Sequence, residues 1–277
     1  MNMHNQKGLS LVELMVALAV SSFLILGITQ VYINNKRNYV FQQSQAANLD
    51  SSRFAVLLLD ELLSKAGYRR TPDQEMNNAF PGAHNLLSSH CSAFPEGAAI
   101  TKLKNSGDIG FCLRYQPATR GEDLCDGNTS TLEKEDTFLY PGLNETIYLA
   151  IQYTPHPSEQ AGSISCHSSK GSSSELLDGI ADMKIEFGNG FEEEKRLKAN
   201  GYKNSTDWAV TDGTIRAVRY SVLTASRPNQ RDGDSVAFDQ WISSTASATS
   251  RTRLQERDSR HLYQAAVGSQ AVRNMMP

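Results

Sequence analysis

Residues 8–33 read GLSLVELMVALAVSSFLILGITQVYI, and the rest of the chain is best read outward from them. From Leu9 to Ile33 the run is almost continuously apolar, and Glu13 is its one charged side chain. As a helix it is long enough to cross a hydrocarbon layer of about 30 Å. Residues 1–8, MNMHNQKG, are short and polar, with one lysine and no acid. A secretory signal has a shorter apolar region followed by a small-residue cleavage site. Here the polar leader comes first and Gly8 directly precedes the apolar run. A carboxylate at the centre of a span costs about 2.5–3.5 kcal/mol on insertion scales. Glu13 is therefore expected to have a function and a partner.

The 277 residues suffice for one ordinary domain with an extension, or for two small domains. The formal net charge is −3, so no basic excess exists for a nucleic-acid surface. Ser, Asn, Gly and Thr in the second half announce turns and long loops. There are four cysteines, Cys91, Cys112, Cys125 and Cys166, and none forms a C-x-x-C pair. An even count at wide spacing behind an export-type N-terminus predicts two disulfides. Three pairings stay open.

The hexapeptide Gly8-Leu9-Ser10-Leu11-Val12-Glu13 resembles the processing site of type IV prepilins and of type II secretion pseudopilins. The resemblance implies that a prepilin peptidase cuts between Gly8 and Leu9 and methylates the new N-terminus. It also implies that Glu13 guides docking of the subunit into a filament. The amine of Leu9 would then be the counter-charge of Glu13, within one helix or between staggered neighbours. The leader holds only Lys7, whereas Lys36 and Arg37 follow the apolar run, so charge bias does not orient the span. The resemblance places the leader in the cytoplasm and the remainder outside it.

Beyond the span, residues 34–67 contain no proline, and Phe54, Leu57, Leu58, Leu62 and Ala66 recur at helical spacing as one apolar face. Gly67 reads as the helix C-cap. One helix from about Ser10 to Ala66 would be roughly 85 Å long; two helices hinged near 34–50 are the alternative. Residues 69–107 show no period and read as an extended connection around Cys91. Strands are expected at Ile109–Tyr115, Thr137–Tyr140, Thr146–Tyr153, Met183–Phe187, Ile215–Thr224 and Leu262–Val267. Residues 155–175 and 226–235 read as loops, and Glu192–Lys198 as a solvated charge run.

Three later stretches sharpen the resemblance. LLDGIADMKIEFG (176–188), IRAVRYSVLTAS (215–226) and HLYQAAVGSQAVRN (261–274) are similar to segments of W-type minor pilins, the last closing on Arg273-Asn274. The element order, one long helix and then strands, gives an α+β fold, and the resemblance implies a pilin-like one. The expected organisation is a leader (1–8), a membrane-spanning or filament-core helix (9–33), a helix continuation on the head (34–67) and a β-rich extracytoplasmic head (68–277). The resemblance further implies a minor pilin that primes type IV pilus assembly at the tip. Its partners would be the prepilin peptidase, other minor pilins, the major pilin, a large tip adhesin and the membrane, with no nucleic acid. It would sit in the inner membrane as a single-pass protein before assembly and at the cell surface afterwards. The nearest rival is a J-type pseudopilin of type II secretion. A rival of another class is a single-span membrane-anchored enzyme or ligand-binding domain.

Chemistry-bearing patterns point the same way. None of the six histidines forms H-E-x-x-H. His90-Cys91 and Cys166-His167 are adjacent pairs, a poor geometry for one zinc ion, and the expected compartment favours disulfides. Asp232-Gly233-Asp234 lacks the other ligands of a calcium loop and reads as a polar turn. No G-x-S-x-G, Walker or G-x-G-x-x-G motif is present. The sequence predicts no enzyme, no cofactor and no metal.

Overall fold

The computed structural model describes residues 10–71, 73–82, 87–119, 121–130, 146–190, 199 and 201–275. Ser10 has extended backbone, its carbonyl accepts the Leu14 N–H at 3.1 Å, and helix α1 then runs from Leu11 to Lys65. No proline interrupts these 55 residues, so the helical ladder continues through the Gln/Asn-rich middle with no hinge. The helix stops at Gly67, which takes φ +72° and donates its N–H to Arg114 O at 2.9 Å. A side chain there would meet the left-handed penalty, which glycine avoids. The chain's other end finishes the cap. Asn274 Nδ2 donates to Ser64 O (2.8 Å) and Ala66 O (3.0 Å), two carbonyls of the last turn.

After α1 come a short helix α2 (Met76–Ala79) and the strands β1 (Ile100–Thr101), β2 (Ile109–Tyr115), β3 (Ile147–Thr154), β4 (Gly162–Ser168), β5 (Ser173–Gly190), β6 (Gly201–Asn204), β7 (Thr214–Ala225) and β8 (Tyr263–Ala271). Helices α3 (Val236–Ser244) and α4 (Ala248–Arg257) lie between β7 and β8. The strands form one antiparallel sheet in the order β1-β2-β3-β4-β5-β7-β8, with β6 added on β5.

Five of the expected strands are present, as β2, β3, β5, β7 and β8, and β2 has its predicted bounds. Two loop assignments are corrected. Residues 155–175 contain β4 and the start of β5, and residues 69–107 contain α2 and β1. Thr137–Tyr140 and Glu192–Lys198 lie outside the described residues.

The sheet is covered on both faces. On one, α1 buries Ala55, Leu59, Leu62, Leu63 and Ala66 against Phe111, Leu113, Ile185, Phe187, Val218 and Val222. This corrects the predicted helix face: Phe54 is 50 % and Leu57 68 % exposed. The buried line passes instead through the small and polar Asn48, Ser52 and Ala55, which let the helix approach the sheet closely. Gly268 on β8 belongs to the same fit. A Cβ there would lie 2.1 Å from the ring of Tyr220, whose hydroxyl reaches across to donate to Asp60 Oδ1 at 2.7 Å.

The opposite face carries two smaller cores. Leu87, Cys91, Phe94 and Leu103 close over Cys112, Tyr148 and Ala150. Phe238, Trp241 and Leu254 of α3 and α4 close over Ala181, Leu223 and Tyr263. Asp182 pins the second core. It is 2 % exposed and accepts from Trp241 Nε1 (2.8 Å), Ser250 Oγ (3.0 Å) and Arg253 (3.3 Å). Burial pushes its carboxyl above the ordinary carboxylate range.

Candidate subunit-docking helix

Among the described residues, nothing packs against the first half of α1. Leu11, Phe23 and Ile28 are 75 %, 76 % and 69 % exposed, and the most apolar 18-residue window, of mean hydropathy 2.4, is 0 % buried. Contact with the sheet builds up only from Asn48 onward. Exposed apolar surface on this scale is stable only in a lipid or protein environment. The polar groups within it are already satisfied. Ser21 Oγ donates to Ala17 O (2.7 Å), Ser22 to Ala19 O (2.8 Å) and Thr29 to Ile25 O (2.7 Å). Backbone and hydroxyls are thus internally paired, as hydrocarbon requires.

Glu13 stands out against this surface. It is exposed, sits in the first helical turn, and is the only charged residue of α1 before Lys36. There the helix dipole favours an anion. Nothing within the described residues pairs with its carboxylate. The processing positions Gly8 and Leu9 lie outside the described residues.

All four cysteines are paired, Cys91 with Cys112 and Cys125 with Cys166, at Cα separations of 5.9 and 6.1 Å. The first bond fastens the 87–103 segment to β2, and the second fastens the 121–130 segment to β4. His90 and His167 stack face to face with ring centroids 4.0 Å apart. Their cysteine neighbours carry no free thiol, and among the described residues no group of three or more His, Cys, Asp or Glu is placed to hold a metal.

A sizeable cleft of about 810 Å³ lies in the head between the β3–β4 turn, the start of β5, the end of β7 and the end of α4. Its polar groups do not converge. Arg257 donates to the carbonyls of His156 (2.6 Å), Pro157 (2.7 Å) and Glu159 (3.0 Å). His156 Nδ1 accepts the Glu159 N–H at 2.9 Å, and His261 Nδ1 lies 2.6 Å from Ser226 O. These side chains tie loops together.

Comparison with known proteins agrees with the reading of the N-terminus. Residues 3–29 match the prokaryotic N-terminal methylation motif. No curated protein sequence matches the chain. Among solved structures, the type IV-like pilin TTHA1219 from Thermus thermophilus aligns over 83 % of this chain and 97 % of its own, with 12 % identity and a TM-score of 0.43. The N-terminal segment thus carries a prokaryotic N-terminal methylation motif, and it opens a long helix whose second half packs on an antiparallel sheet.

Proposed function

We propose that the chain is a minor pilin of the W type, which joins other minor pilins to prime type IV pilus assembly and resides at the pilus tip. The observation that carries the reading is Glu13, a lone exposed carboxylate within the methylation motif and on an otherwise unbroken apolar helix surface. The prepilin peptidase removes residues 1–8 and methylates Leu9. The apolar half of α1 (9–33) holds the subunit in the inner membrane, with the head outside the cytoplasm. During assembly that half moves from lipid to the filament core, where Glu13 meets the N-terminal amine of a neighbour. A charge pair in so apolar a setting is strongly directional, because an unpaired carboxylate there costs several kcal/mol. The disulfides suit a head exposed outside the cell. The major pilin and a large tip adhesin are the further partners of this role.

Glu13→Ala tests it. The variant should insert in the membrane at wild-type level, be processed, and be missing from the sheared filament fraction. Wild-type incorporation would sink the docking role.

A further inference from the structure

The two outer edges of the sheet are built differently. The β1 edge is guarded: β1 has only two residues, Lys102 and Lys104 follow closely, and the Cys91–Leu103 bridge covers the chain beyond it. The β8 edge has no such protection. Its nine residues, YQAAVGSQA, contain no charge and no proline, and they pair with β7 in nine consecutive steps without a bulge. Short edges, lysines, prolines and bulges are the usual devices that stop an edge from accepting a further strand.

The hydrogen-bond phase of β8 follows from its ends. Ser226 N donates to Leu262 O (2.9 Å), and Val272 N donates to Arg216 O (2.8 Å). Even-numbered residues therefore point their backbone groups at β7. The N–H and C=O groups of Ala265, Val267, Ser269 and Ala271 point outward, at two-residue spacing. Among the described residues no other strand pairs with this edge. The side chains of these four residues are exposed, Val267 by 64 %.

We infer that the β8 edge is a docking site for an extended segment of a different polypeptide, which adds to the sheet as a ninth strand. A row of alternating donors and acceptors selects an extended backbone over a helix or a small molecule. The flanking side chains are small and uncharged, so the segment's side chains beside Val267 are small or β-branched and apolar. A second copy of this chain is a poor occupant. If α1 anchors all copies in one bilayer, as proposed above, their β8 strands run in the same direction. Two equivalent copies then present their outward groups at equal heights, whereas parallel pairing needs them staggered.

The test uses the full chain in its native membrane, with a photoreactive phenylalanine placed in turn at Ala265, Val267, Ser269 and Ala271. Mass spectrometry of the cross-linked peptides should show one segment of another protein, contacted at steps of two residues. Val267→Pro removes only an outward N–H and should abolish the cross-links from Ala265, Ser269 and Ala271, with subunit level and melting temperature kept. Val267→Lys should do the same by charge, without altering the backbone. No cross-link, cross-links only to another copy of this chain, contacts without a two-residue step, or cross-links that survive both variants would each overturn the inference. Failure of Glu13→Ala to affect incorporation would leave these outcomes readable, since they do not depend on Glu13.

Discussion

Arg114 offers a sharp test of how the head is held together. It is 0 % exposed, sits on β2, and has no carboxylate partner among the described residues. Its guanidinium donates instead to four backbone carbonyls: Ala98 (2.6 Å), Pro81 (2.7 Å), Pro95 (2.9 Å) and Phe80 (3.0 Å). The rings of Phe80 and Phe94 lie over it at 5.3 and 4.9 Å. One side chain thus gathers the 80–98 segment onto the sheet. Burial lowers the Arg114 pKa, yet arginine keeps its proton.

Consider Arg114→Met, which keeps length and removes the charge. Phe80 O and Pro95 O retain backbone donors, Gly97 N at 2.8 Å and Ala98 N at 3.1 Å. Pro81 is exposed, so water can replace the lost donor. Ala98 O, on a residue 4 % exposed, loses its donor, at a cost of about 1–3 kcal/mol. The two ring contacts contribute about 1 kcal/mol each. Relief of the buried charge offsets part of this, but the carbonyls that solvated it remain behind. The net expectation is a loss of about 3 kcal/mol, or roughly 6–12 °C in melting temperature for a domain of this size. Thermal unfolding of the full chain in detergent, followed by near-ultraviolet circular dichroism, measures it. A melting temperature unchanged within about 2 °C would refute the clamp.

Two further outcomes follow from the head. Cys91 and Cys112 close a loop with a sequence separation of 21, so replacing both by Ser should cost about 3.4 kcal/mol through the unfolded state. The separation of 41 between Cys125 and Cys166 gives about 3.9 kcal/mol, and non-reducing peptide mapping should recover these two pairs alone. The His167 pKa is held below its ordinary 6.5, first by burial and then by the facing His90. The unfolded chain then binds this proton more readily than the folded one, so stability should fall as pH drops below 6.5. His167→Asn should flatten that part of a melting-temperature profile between pH 7.5 and 5; an unaltered slope would show that the stacked pair does not couple to folding.

The N-terminus was legible because hydrocarbon imposes a simple rule: a long apolar run with one charge has few readings. Helix α1 and strand β2 were legible for related reasons, an unbroken proline-free run and alternating large apolar residues. The buried face of α1 was not. Leu57, Leu58, Leu59, Leu62 and Leu63 form so wide an apolar arc that its centre is ambiguous, and small residues settle the contact. Strand β4 escaped because GSISCHS has the composition of a loop, although Ile164 and Cys166 alternate inward. Helices α3 and α4 are short, but each has a signal: Ser235 accepts from Phe238 N and Ser247 from Ser250 N, both N-caps. Arg114 had none, since a strand arginine normally faces water and only the tertiary cover over β2 buries it. The open edge of β8 is likewise a property of the assembled sheet.

The most direct test of the account is mass spectrometry of the N-terminal peptide, taken from protein recovered from its native membrane or filament fraction. The account predicts a peptide that begins at Leu9 and is heavier by one methyl group. A peptide that retains Met1 would contradict it, leaving the apolar helix a plain anchor and Glu13 without its partner amine.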